Sequence, residues 1–237
     1  MRWKTEDITG WGRALTAESD IARPERAAHL ATIASEGPVI GNRRSYGDAC
    51  LNSGGKVIDA TRLDRLLSFD PDTGILHVEA GCAVGRIADV FAHRGWLPAV
   101  MPGTGFATVG GCIANDVHGK NHHGLGSFGQ HVEEITLIQD GRSKVVKAGS
   151  ALFKATVAGL GQTGAIISAK LKLIPCKGDV MMVTEQRMDG WDDFLAHLDS
   201  SQATYTVGWI DATAKGDKLG RGILEEGETG YGLMDKP

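Results

Sequence analysis

One stretch, Pro102 to His123, limits what this chain can fold into. It carries glycines at 103, 105, 110, 111 and 119 together with three histidines, Lys120, Asp116 and two asparagines. An amphipathic helix repeats apolar residues every three to four positions and a half-buried strand alternates them; the glycine-rich mixture here resembles neither. Glycine permits positive φ and lets a ligand approach the main chain, so repeated glycines leave backbone N–H groups open to anions and carbonyl oxygens. The stretch reads as a ligand-binding segment.

A second run lies upstream, Gly41-Asn42-Arg43-Arg44-Ser45-Tyr46-Gly47-Asp48. It follows Pro38-Val39-Ile40, which reads as a short buried strand, and it adds two guanidiniums and a serine hydroxyl to its glycines. Guanidinium forks match phosphate oxygens, and a turn leaving a strand can point several N–H groups inward. Such a turn suits a diphosphate. Arg43 and Arg44 adjoin and can point to opposite sides, so one of them is also open to a structural ion pair.

Composition narrows the class. A chain of 237 residues with 42% hydrophobic content can build one large domain or two modest ones. A formal net charge of −4 gives no basic footprint for nucleic acid or an anionic membrane. Residues Met1 to Asp7 lack the apolar core of a signal peptide, and no later run is long enough to cross a bilayer. The expectation is a cytoplasmic protein with no transmembrane segment and no nucleic-acid partner. Cys50, Cys82, Cys112 and Cys176 are widely spaced, without a Cys-x-x-Cys pair, and indicate neither a zinc site nor a disulfide framework. The 33 glycines are about twice ordinary usage, as in a loop-rich cofactor domain.

Taken in order, residues 1–20 read as an extended arm carrying Trp3 and Trp11, and residues 21–36 as a short helix with Pro24 near its start. Lys56 to Asp59 is a strand, and Leu63 to Leu67 a helical or bent connection. Asp70-Pro71-Asp72-Thr73-Gly74 supplies the turn of a hairpin whose second strand alternates through Gly81. Val84 to Arg94 reads as a helix. Val132–Ile138 and Ser143–Lys147 flank an Asp-Gly turn as a second hairpin. A helix near 150–158 leads to Gly159-Leu160-Gly161-Gln162-Thr163-Gly164, and Ala165 to Ile174 alternates as a strand. That glycine pattern matches a dinucleotide fingerprint, which needs a strand before it and a helix after it. The order here is reversed, so the fingerprint is set aside. Helices mixed with hairpin-linked strands predict an α+β fold rather than a doubly wound α/β sheet.

The runs Gly41–Asp48, Pro102–Thr104, Thr108–Gly111, His118-Gly119-Lys120-Asn121-His122-His123 and Gly126-Ser127-Phe128-Gly129 together resemble the FAD-binding domain of the vanillyl-alcohol oxidase and p-cresol methylhydroxylase superfamily. Within it they are most similar to the branch of decaprenylphosphoryl-ribose 2-oxidases, over about Pro38 to Pro175. The resemblance implies a two-subdomain FAD-binding domain over residues 1–176. It implies that Val39 and Ile40 are cofactor-binding and that the turn Gly41, Asn42, Arg43, Arg44, Ser45, Tyr46, Gly47 and Asp48 holds the FAD diphosphate, lined by Arg43, Arg44, Ser45 and Tyr46. Gly103, Thr108, Val109, Gly110 and Gly111 would run along the diphosphate and flavin, and Asn115, Asp116, Val117, His118 and Gly119 would approach the ring. Gly164 and Ile166 would meet the adenine end. His118 and Lys120 would face the substrate as the catalytic pair. Members that attach flavin covalently often use a histidine in the first loop; this loop has none, so the FAD is expected to be non-covalent.

The implied reaction is oxidation of a secondary sugar hydroxyl, the 2-hydroxyl of a polyprenylphosphoryl-ribose, by hydride transfer to flavin N5. That supplies arabinan precursors for cell-wall biogenesis, with a short-chain reductase as the epimerase partner and the lipid-linked substrate drawing the protein to a membrane. Members of the branch continue for roughly as long again, with residues that include the base. Residues 177–237 therefore read as the opening of a second, substrate-binding domain, truncated here, with a helix over Trp191–Leu198 and a strand over Tyr205–Asp211. Other readings stay open: an aldonolactone or alditol oxidase, or a flavin-binding module without catalysis. His118 also reads as a hydrogen-bonded loop histidine, Lys120 as a solvated lysine, Tyr46 as core packing, and Cys112 as a small buried residue. A metal among His118, His122 and His123 is not expected, because their spacing fits no common zinc pattern.

Overall fold

A computed structural model describes residues 2–232; Met1 and residues 233–237, the last residues of the segment expected to open a second domain, lie outside the described residues. The chain is α+β, as its patterning predicts, and builds three sheets in sequence order.

The first sheet contains β1 (Lys4–Thr9), β2 (Thr16–Ala22), β3 (Val39–Ile40) and β4 (Lys56–Asp59), with α1 (Ala27–Ile33) between β2 and β3. Its order is β1-β2-β4-β3, antiparallel between β1 and β2 and parallel beyond. The N-terminal residues are thus a hairpin built into the sheet, not an arm laid on it. Ile8, Ala17 and Ile21 bury against Ile40 and Val57, which pays the ordering entropy of a polar pair of strands. The expected helix at 21–36 shortens for the same reason. Ile21 and Ala22 complete β2, and Pro24 falls in the connection.

The second sheet contains β5 (Leu66–Asp70), β6 (Ile75–Glu79), β7 (Trp96–Pro98), β8 (Val132–Gln139), β9 (Arg142–Lys147) and β10 (Ala165–Pro175). β10 is central, pairing antiparallel with β6, β7 and β8. Leu66 opens β5, so the helical alternative for Leu63–Leu67 fails; Arg65 is instead held by the buried carboxylate of Glu79. The turn into β6 forms as its sequence dictates: Asp70 accepts from Asp72 N–H at 3.0 Å and Thr73 Oγ1 at 2.7 Å. Five helices accompany the two sheets: α1, α2 (Val84–Phe91), α3 (Val109–Ala114), α4 (His122–Leu125) and α5 (Ala151–Thr156). α2 buries Val84, Ile87 and Phe91, and a 3₁₀ turn at Ala92–Arg94 finishes the segment expected as helix. α3 and α4 lie inside the glycine-rich stretch, where no helix was expected. Val109, Cys112 and Ile113 give α3 one fully buried face, a spacing masked by the glycines between them.

The main core joins this sheet to α2, α3 and α5. A smaller core brings Leu30 and Ile33 of α1 and Ile58 of β4 against Ile138 and Ala165, tying the first sheet to the second. The third sheet, β11 (Val180–Met188), β12 (Tyr205–Ile210) and β13 (Gly222–Gly230), has the order β11-β13-β12 and carries α6 (Trp191–Ser200). Met188, Phe194 and Leu224 form a small core of its own. Among the described residues no helix is long and apolar enough to cross a membrane.

Candidate functional site

A cavity of about 1030 Å³ opens beside the core that joins the first two sheets, lined from both of them. Its size sits at the upper end for ligand sites, room for a long cofactor rather than a small metabolite.

The first wall is the loop leaving β3. Residues Val39 to Tyr46 line the cavity without a break. None of the backbone N–H groups of Gly41 to Asp48 donates to another group among the described residues. Arg43 sits at φ +53°, its guanidinium in no ion pair or hydrogen bond among the described residues, and Arg44 lies over two aromatic rings. The second wall is α3 with its approach. Thr108 caps the helix, its Oγ1 accepting from Gly111 N–H at 3.3 Å. The two walls touch: a Cβ on Gly41 would stand 2.2 Å from that same Oγ1, so the loop can close on the helix only with glycine there. Gly103, Thr108, Gly110, Gly111, Asn115, Asp116, Val117 and His118 complete this side.

The far end is built by two turns. Asp140 and Gly141 both have positive φ, as an Asp-Gly hairpin turn requires, and Gln139 Nε2 donates to Thr163 O at 3.3 Å. Gly164, at φ +138°, passes so close to Ile138 that a Cβ would lie 2.3 Å from its carbonyl oxygen. Gly164 and Ile166 line this end, as expected.

Five expected residues lie off the cavity lining. Gly47 and Asp48 follow the loop outward to solvent. Val109 turns its side chain into the core beneath α3. Gly119 packs on Met101, leaving no room for a side chain. Lys120 is exposed, and its carbonyl accepts from Thr206 N–H of β12 at 2.9 Å. The expected catalytic pair is therefore split, with His118 at the cavity and Lys120 at the third sheet. Around them the loop is braced. Asp116 accepts from Ser127 Oγ at 2.9 Å and Gly129 N–H at 2.8 Å. Buried Asn121 donates to Ala99 O at 2.7 Å, and the rings of His118 and His122 meet edge-on at 5.6 Å. Burial pushes the Cys82 thiol up to about 11 and the Cys112 thiol up to about 12, and it also raises that of Cys50 on the lining.

Residues 27–149 match the family described as FAD binding domain. The chain belongs to this FAD-binding family. It is 38% identical over 239 residues to the decaprenylphosphoryl-beta-D-ribose oxidase of Mycolicibacterium smegmatis, covering 94% of this chain and 52% of that protein. It is 26% identical to a D-lactate dehydrogenase of Anaerostipes hadrus over 57% of this chain and 30% of that protein. To a D-arabinono-1,4-lactone oxidase of Yarrowia lipolytica the identity is 28%, over 58% of this chain and 27% of that protein. The chain spans about half the length of the first of these and less of the others.

The residues fit FAD. A row of amides and a guanidinium, all without partners among the described residues, is a receptor for a diphosphate. Gly103 and Gly161, both on the lining, have open space where a Cβ would stand, as a backbone that meets a ligand directly requires. Trp11, Gln139–Gly141 and Leu160–Thr163 also line the cavity and were not anticipated. The signal for the last was present: the set-aside glycine pattern at 159–164 marks the turn itself.

Proposed function

We propose that this chain is the FAD-binding portion of a flavoenzyme that oxidises a secondary hydroxyl of a sugar, the 2-hydroxyl of a polyprenylphosphoryl-ribose. The observation that carries the reading is the unbroken lining from Val39 to Tyr46, its amides unspent, facing capped α3 with His118 on the same cavity. The similarity to the mycobacterial oxidase over nearly the whole chain supports the choice of substrate.

FAD, when bound, supplies the acceptor for the hydride of the carbinol carbon. The amides of 41–46 and Arg43 hold its diphosphate, and no histidine in that loop is available to attach it, so binding is non-covalent. Gly103 and Gly111 would lie along the diphosphate and flavin side, and Gly164 and Ile166 would meet the adenine end. His118 presents an imidazole to the cavity, positioned to bind the sugar hydroxyl or take its proton. Lys120 contributes through its carbonyl, which fixes the His118–His123 loop against β12. Residues 1–176 form the FAD-binding domain in this reading, in two subdomains set by the first two sheets, and 177–237 belong to a substrate-binding domain. The keto product would pass to a short-chain reductase, completing an epimerisation toward arabinan precursors, in a cytoplasmic protein drawn to the membrane by its lipid-linked substrate.

A second reading, oxidation of an aldonolactone, rests on the similarity to the lactone oxidase. The purified chain is expected to take up FAD with a visible flavin spectrum and to release all of it into the supernatant on acid precipitation. Polyprenylphosphoryl-ribose, and not an aldonolactone, is then expected to bleach the flavin of the FAD-loaded protein. A colourless chain that ignores added FAD defeats the proposal.

A further inference from the structure

The two adjacent arginines of the first loop face different surroundings. Arg43 has no ion-pair or hydrogen-bond partner among the described residues, whereas the Arg44 guanidinium lies 5.4 Å from the ring centroid of Trp11 and 5.3 Å from that of Phe106. Its Nε is buried and makes no hydrogen bond, a cost offset by the negative faces of the rings. These three side chains come from three separate segments: the β1–β2 turn, the loop after β3 and the approach to α3. A backbone bond and the Asn42 side chain repeat the same connections. Trp11 N–H donates to Ser45 O at 2.9 Å, and Asn42 Nδ2 donates to Phe106 O at 3.0 Å. A Cβ on Gly10 would stand 2.6 Å from Gly47 O, so the hairpin turn lies flat on the loop.

We infer that Arg44 is a positioning residue: with Trp11 and Phe106 it latches the three segments into the shape that presents the 41–46 amides to the cavity, while Arg43 carries the charge contact to the diphosphate. Phe106 lies off the cavity lining, so its ring acts on cofactor binding through Arg44. The role in cofactor binding rests on the FAD reading; the latch itself does not.

Arg44→Gln, Phe106→Leu, their double variant and Arg43→Gln separate the roles. Without FAD, NMR exchange of the Trp11 amide reports the junction: it should quicken about tenfold in Arg44→Gln and Phe106→Leu and stay unchanged in Arg43→Gln. In FAD titrations at low and high salt, Phe106→Leu should weaken binding about five- to tenfold with an unaltered salt dependence, and the double variant should be no worse than Arg44→Gln. Arg43→Gln should flatten the salt dependence. An unchanged Trp11 amide in both latch variants, or a salt dependence flattened by Arg44→Gln as much as by Arg43→Gln, overturns the inference. If even the unaltered chain takes up no FAD, the functional reading fails, and the Trp11 exchange still decides the latch.

Discussion

Gly41 is the residue at which the site is least tolerant. Gly41→Ala places a methyl into Thr108 Oγ1, and the closure between loop and helix must open by roughly 1–3 kcal/mol of strain. FAD affinity should fall accordingly, and adding Thr108→Ala should recover part of it; an unaffected titration for Gly41→Ala would show that the two walls do not need to touch. Away from the cavity, Arg23 bonds both Glu6 carboxylate oxygens and also Asp59. The Arg23 guanidinium holds Glu6 at about 2, below its ordinary 4.5. A depressed folded-state pKa contributes stability that is present above about 4.5 and lost as pH falls toward 2. Thermal melts between those limits should show that decline, and Glu6→Gln should make it shallower. The adjacency of Arg43 and Arg44 allows different roles in the sequence, but which one meets the rings depends on Trp11, in a turn far earlier in the chain, and on Phe106, and no local pattern encodes that.

Elements with local punctuation were legible. The Asp70–Gly74 turn and the Asp140-Gly141 turn carry their own hydrogen-bonding and positive-φ chemistry, and both hairpins formed where their residues required. α3 was not legible, because its inward residues are separated by glycines that by propensity oppose a helix. Its stability comes from the Thr108 cap and from burial of Val109, Cys112 and Ile113. α5 shows the same dependence. Ser150 accepts from Phe153 N–H, and Thr156 at the other end shares a 2.9 Å hydrogen bond with Thr163 on the cavity turn. Ser150→Ala should cost about 1 kcal/mol in stability. Chemical denaturation measures that cost, and FAD affinity should drop slightly with it as the Leu160–Thr163 turn loosens.

Across the molecule, the cavity is lined by residues no later than Ile166, whereas Phe194 packs with Met188 and Leu224 in a separate core. Phe194→Ala should destabilise the third sheet by about 3–5 kcal/mol and leave FAD uptake nearly intact, which proteolysis of residues 180–230 beside an FAD titration would check. Loss of FAD binding in that variant would mean that the contact between Thr206 and Lys120 sustains the cavity. By itself the sequence determined the family, the α+β character, the two glycine-bearing walls and the hairpins, because glycine placement and turn chemistry act over a few residues. Only the tertiary structure decided that the N-terminal residues complete a sheet, that Val109 faces the core, that His118 and Lys120 part company, and that Arg44 meets Trp11 and Phe106. Each of those depends on surfaces far apart in the chain, whose burial and pairing outweigh what the local residues prefer.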